Sequence, residues 1–136
     1  MNGRRVVVAG GTGNVGTFIV KALLEHGAAV TVPSRSERSL AAFRAHLQPR
    51  TDESSWKRLR TIVTDVAAAD AALDPREPHA VVASLGTFIP APSLLKASVA
   101  DLDEVLHDYV RAHFAVAQRF LPALVEKRGT YIFING

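Results

Sequence analysis

Arg4–Gly16 reads RRVVVAGGTGNVG: three consecutive valines, then glycines at 10, 11, 13 and 16. A short β-branched run closed by glycine suits a fully buried strand better than a helix. From Asn14 the spacing changes. Val15, Phe18, Ile19, Ala22 and Leu23 recur at i, i+3, i+4, i+7 and i+8, which predicts one apolar face of a helix, and Gly27 stands where a C-terminal cap would.

The alternation continues outward from this unit. AAVTVPS (28–34) reads as a second strand, and Ser34 followed three residues later by Glu37 predicts a capping box opening a helix that carries Leu40, Phe43 and Leu47. After a polar connection with Pro49 and TDESS, the segment LRTIVTDV (59–66) predicts a third strand. AAADAAL (67–73) then predicts a short helix or turn, and HAVVASLG (79–86) a fourth strand beyond Pro75 and Pro78. Pro90 and Pro92 keep the next stretch open. Leu102, Val105, Tyr109, His113, Val116 and Phe120 then predict a long helix that Pro122 bends or ends, followed by a fifth strand in GTYIFING (129–136). Strands too apolar to face water on either side, alternating with helices, imply an α/β fold: a doubly wound parallel sheet between helical layers. With 136 residues, one domain over 1–136 is expected.

Composition narrows the chemistry. The chain has no cysteine, which removes disulfides, thiolate metal sites and a cysteine nucleophile and is compatible with a reducing cytoplasm. The apolar run at 18–24 is broken by Lys21 and is far shorter than a membrane span, and no export signal is read at the N-terminus. Residues 35–60 hold seven Arg and Lys against three Asp and Glu, a local +4 that leaves −1 for the remainder of the chain's +3. Without interleaved aromatics that patch suits a small anion better than nucleic acid. The five histidines are scattered, so no metal site is expected; Asp101, Asp103 and Glu104 read as acids favoured by a helix N-terminus, and Trp56 as a packing anchor.

Gly11-Thr12-Gly13-Asn14-Val15-Gly16 satisfies G-x-G-x-x-G, and Gly10, Gly13 and Gly16 satisfy G-x-x-G-x-x-G. Flanked by a strand and an amphipathic helix, these glycines let backbone amides approach a pyrophosphate on the helix N-terminus. The plainer reading is a tight turn that uses glycine for backbone freedom alone. An NAD site usually offers an acid at the end of the second strand, about 20 residues on, whereas NADP needs a cation. Here that place reads PSRSER: Ser34 and Arg35 stand where the acid would be, with Arg38 one turn further, so NADP is favoured over NAD. The competing reading makes the two arginines a solvated helix start.

With these residues in place, the chain resembles the short-chain dehydrogenases/reductases along its whole length, through VVVAGGTGNVG, the SR after strand two, TDV (64–66), ASLG (83–86), the helix DEVLHDYVRAHFAVAQRFLPAL and GTYIFING. The resemblance implies a Rossmann sheet in the order 3-2-1-4-5 and hydride transfer between a nicotinamide and a carbonyl or alcohol. It implies that Asp65 bonds the adenine amino group with the Val66 backbone beside the ring, although Asp65 also suits capping the turn that follows. It implies that Ala83-Ser84-Leu85-Gly86 occupies the place of the family's Asn-Asn-Ala-Gly, so that Ser84, Leu85 and Gly86 line the cofactor site with Gly86 close to the cofactor ribose. Both asparagines are missing, and Tyr109 matches the position of the Asn that supports the family's proton relay. Thr12 leans toward the extended or atypical branch of the family, the long fourth helix toward the ordinary branch. The family's catalytic Ser and Tyr-x-x-x-Lys would follow the fifth strand, so catalytic residues in 1–136 are unknown and the chain is expected to be the cofactor-holding half of a longer protein. Tyr109 and His113 have the Tyr-x-x-x spacing without the Lys and read as core packing. A homo-oligomer through the fourth helix is implied as well. The rival to an enzyme is a non-catalytic NADP-binding sensor or scaffold.

Overall fold

Alternate residues of the first strand feed two different cores. In the computed structural model, which describes residues 2–68, 72–86 and 94–134, strand β1 (Arg5–Ala9) sends Val6 and Val8 to one side and Val7 and Ala9 to the other. All four are almost fully buried, as a central parallel strand requires. Strands β2 (Ala29–Ser34), β3 (Leu59–Val63), β4 (Ala80–Ala83) and β5 (Thr130–Phe133) complete a five-stranded sheet, ordered β3-β2-β1-β4-β5 with every pair parallel. The strand order that the family resemblance implied is therefore observed. The outer strands are less buried than the pattern implied: β3 has no buried residue, and Ile132 and Phe133 of edge strand β5 are about half exposed.

Helices α1 (Asn14–Glu25) and α2 (Glu37–Leu47) cover one face, where Val20, Leu24, Leu40, Phe43 and Leu47 pack on Val6, Val8, Val30 and Val32. Burying such side chains stabilises the fold by about 1.5–3 kcal/mol each. The buried face of α1 differs from the expected one. Gly16, Val20 and Leu24 are buried, whereas Val15 and Phe18 are exposed. The i+4 ridge beginning at Gly16 faces the sheet because only a residue without a side chain fits the approach to the glycine turn.

A second correction concerns α2. Its N-cap is Ser36, whose hydroxyl accepts from the Ser39 amide, while Ser34 ends β2 and accepts from the Ser36 amide. The strand pairing of Ser34 with Val63 holds it in the sheet, so the helix starts two residues later than the proposed capping box. A one-turn helix α3 (Glu53–Trp56), capped by Asp52, lies in what read as plain polar connection, and Trp56 packs against the first core as an anchor. Between β3 and β4 the described residues form turns rather than a helix; residues 69–71 of AAADAAL lie outside them. Pro90, Pro92, Asn135 and Gly136 also lie outside the described residues.

The other face is covered by α5 (Ala112–Glu126), which a π-helical turn over Leu106–Arg111 joins to α4 (Val99–Val105), a helix with no buried residue. Val116, Phe120 and Leu124 pack on Val7, Ala9, Val81 and Ala83. Pro122 does not end the helix, which runs to Glu126, because Pro122 is on its exposed side. Leu102, expected on the packed face, is exposed; His113 is buried.

Candidate functional site

At the C-terminal ends of β1 to β4 lies an open cleft of about 460 Å³. Its walls come from the turn after β1 (Gly10, Thr12, Gly13), the end of β2 (Ser34, Arg35), the segment after β3 (Asp65, Val66, Ala68), the segment after β4 (Ser84, Leu85, Gly86) and the π turn with α5. This is the crevice at the switch point of strand order, where doubly wound sheets hold ligands.

The glycines divide by their reasons. Gly10 has φ +78°, and a Cβ there would lie 1.9 Å from the Ser84 carbonyl oxygen; at Gly16 it would lie 2.1 Å from the Gly10 oxygen. The turn itself demands both. Gly13 is different: its φ of −78° suits any residue, it is exposed, and it lines the cleft. It is the N-cap of α1 but supplies no side-chain cap, and α1 has no acidic residue in its first turn. The first-turn amides of Asn14, Val15 and Gly16 therefore carry the positive end of the helix dipole with no side-chain acceptor.

Arg35 lines the cleft, is exposed, and makes no hydrogen bond or ion pair among the described residues. Arg38 is exposed too and has no side-chain hydrogen bond or ion pair among the described residues, but it does not line the cleft; nor do Gly11, Asn14, Val15 and Gly16, of which Gly11 and Gly16 are buried. Arg44, by contrast, is engaged with Glu37 and Thr61. Asp65 accepts from the Ala67 amide at 3.0 Å, capping the turn while its exposed side chain lines the cleft. Val66 is buried behind it.

Gly86 has φ +136°, and a Cβ there would meet the Tyr109 ring at 2.5 Å. Tyr109, His113 and Phe133 form an edge-packed cluster, with Tyr109 and His113 centroids 5.0 Å apart and His113 and Phe133 4.2 Å apart. His113 Nε2 donates to the Leu85 carbonyl at 3.1 Å, so the aromatic cluster braces the Leu85–Gly86 wall. Burial pushes the His113 pKa down, the Leu85 carbonyl opposing it, and Nδ1 is buried without a partner among the described residues. The pair thus packs as the sequence suggested. His107, Asp108, Arg111, Ala112 and Ala115 were not anticipated as cleft residues, because a π turn has no clear sequence signal.

Among the described residues no three His, Cys, Asp or Glu side chains gather as a metal site, and no helix is long and apolar enough to cross a membrane.

The short chain dehydrogenase family pattern matches residues 4–135. No curated protein sequence matches. Among solved structures, a short-chain type dehydrogenase/reductase from Mycobacterium ulcerans superposes with a TM-score of 0.80 at 18% identity, over 100% of this chain and 52% of its own. Serine dehydrogenase from Escherichia coli gives 0.77 at 21% identity, over 97% and 62%. The RhlG/NADP active-site complex of Pseudomonas aeruginosa gives 0.70 at 22% identity, over 100% and 54%. At these identities the likeness shows the fold, and the chain spans about half to three fifths of their length.

Proposed function

The chain belongs to the short-chain dehydrogenase family, and from that premise we propose that its cleft holds NADP(H) for hydride transfer between the nicotinamide and a small carbonyl or alcohol substrate. One observation carries the reading. The bare N-terminus of α1 and the unpaired Arg35 stand at two points of one cleft, and the end of β2 offers Ser34 and Arg35 where an NAD site offers an acid. The pyrophosphate would rest on the amides of residues 11–16, and Arg35, with Ser34 and Arg38 near it, would neutralise the 2′-phosphate. Asp65 and Val66 would flank the adenine, and Ser84, Leu85 and Gly86 the ribose on the nicotinamide side. When bound, the dinucleotide would supply the hydride; these residues bind and orient it. The chain would act as the cofactor-holding part of the enzyme, in the cytoplasm, without nucleic-acid or membrane partners.

A self-association through the long helix fits the exposed Leu102, Leu106, Val110 and Phe114, which repeat at four-residue spacing along it. A non-catalytic NADP sensor is the second reading, favoured by Tyr109 where the family's relay has Asn and by Ala83 and Ser84 in place of its paired asparagines.

Fluorescence titration tests the cofactor assignment. NADPH is expected to bind at least about tenfold more tightly than NADH, a step of about 1.4 kcal/mol, and Arg35→Ala to erase most of that difference. Equal affinities in the unaltered chain, or an Arg35→Ala variant that keeps the preference, would overturn it. For the enzyme-or-sensor choice, hydride turnover by the complete protein supports the first reading and tight binding without turnover the second.

A further inference from the structure

Asp108, Arg111, Ala112 and Ala115 fall at i, i+3, i+4 and i+7, one face of the helical segment, and all four line the cleft. One turn beyond, Arg119 donates to the Ala68 carbonyl at 3.1 Å and to the Leu73 carbonyl at 2.6 Å. That anchor fixes the face against the segment following β3, whose Asp65, Val66 and Ala68 form the facing wall. Arg111 lies two turns, roughly 12 Å along the axis, from Arg119. Ala112 and Ala115 contribute nothing beyond Cβ, which leaves a flat, small-residue wall between the anchor and the guanidinium.

Asp108, Tyr109 and Arg111 all lie in the π turn over Leu106–Arg111; Tyr109 packs with His113 against Gly86, while Asp108 and Arg111 line the cleft. Arg111 is exposed and makes no hydrogen bond or ion pair among the described residues, although Asp108 lies one turn away. A planar cation without a partner among the described residues, at the end of an alanine wall and in the cleft that Val66 also lines, matches the face of a heteroaromatic ring.

We infer that Arg111 is a second determinant of cofactor affinity, its guanidinium stacking on the adenine from the helix side while Arg35 serves the ribose side. The inference rests on the dinucleotide reading and adds a residue to it. It differs from that reading in what it predicts: stacking on adenine is blind to the 2′-phosphate.

The test titrates the chain and its Arg111→Ala and Arg111→Lys variants with 5′-AMP, NADH and NADPH, with circular dichroism to show that each is folded. Arg111→Ala should weaken all three ligands by a common factor of about five. Arg111→Lys should stay close to the alanine variant, because an ammonium lacks the plane. Unchanged affinities in Arg111→Ala overturn the inference, as do a loss confined to NADPH and full recovery by lysine, which would make Arg111 a phosphate ligand or a point charge. An unaltered chain that binds none of the three overturns the dinucleotide reading, and this inference falls with it.

Discussion

Two helix N-termini on the same face of the sheet are finished in opposite ways. Helix α2 begins with Ser36 accepting from the Ser39 amide and Glu37 in its first turn; α4, elsewhere in the chain, closes a capping box in which Ser98 and Asp101 satisfy each other. Helix α1 begins with Gly13, no side-chain cap and no acid. The first two ends are complete within the protein, and hydrogen bonds from Ser98 hold the Asp101 carboxyl below its usual range. The end of α1 has neither kind of cap, and of these three it is the one whose N-cap residue lines the cleft; under the proposed function a ligand's diphosphate would complete it.

The comparison breaks most severely at Gly10, where the turn that aims α1 is made. Gly10→Ala would place a Cβ against the Ser84 carbonyl in a backbone conformation at φ +78°. A loss of about 3 kcal/mol or more of unfolding free energy is expected from urea denaturation. A variant as stable as the parent would show that the turn does not need this approach.

Giving α1 the kind of end that α2 has is the sharper change. Gly13→Asp keeps an allowed φ and should raise stability by a few tenths of a kcal/mol, while weakening NADPH by about tenfold or more as the carboxylate takes the anion's place. The mirror substitution, Ser36→Ala, should cost about 1 kcal/mol of stability and leave dinucleotide affinity within about twofold. Calorimetry on both variants separates the two kinds of end; parallel changes in the two would erase the distinction.

The smallest effect is that of pH. His113 and His79 both titrate below the ordinary histidine range in the folded chain, chiefly through burial, with Arg5, Arg4 and Lys127 adding to it at His79. Between those depressed values and the unfolded value of about 6.5, the unfolded chain binds more protons, so their stabilisation is present above pH 6.5 and is lost as pH falls below it. The Asp52 and Asp101 carboxyls, also depressed by hydrogen bonds from Ser54, Ser55 and Ser98, lose theirs only below about pH 4. Denaturation midpoints should decline in two separate steps as pH falls, and His113→Gln should flatten the upper one; a midpoint rising as pH falls from 6.5 contradicts the assignment.

The strand, the glycine turn and the alternation of elements were legible because each is written locally: Val6–Val8, the glycines and the buried Leu40, Phe43 and Leu47 carry their own periodicity. The burial of α1 was misread by one position because the deciding contact, Gly16 against Gly10, involves a residue with no hydropathy signal. The start of α2 was misread because Ser34 belongs first to the ladder with β3, a pairing between distant residues. Within the site, Gly10, Thr12, Gly13, Ser34, Arg35, Asp65, Val66, Ser84, Leu85 and Gly86 were legible and converge on one cleft. The helix wall with Arg111 was not, since what brings it to the cleft includes Arg119 reaching carbonyls about fifty positions earlier.

The central claim is that the uncapped end of α1 grips a diphosphate while Arg35 meets the 2′-phosphate. Amide NMR of the chain titrated with NADPH reads it residue by residue. The largest shifts are expected at Gly11–Gly16 and at Ser34 and Arg35, with the Ser36–Ser39 cap of α2 little changed beyond Arg35's neighbours. Saturable binding whose shifts leave Gly13–Gly16 unmoved, or no binding at all, would contradict the account.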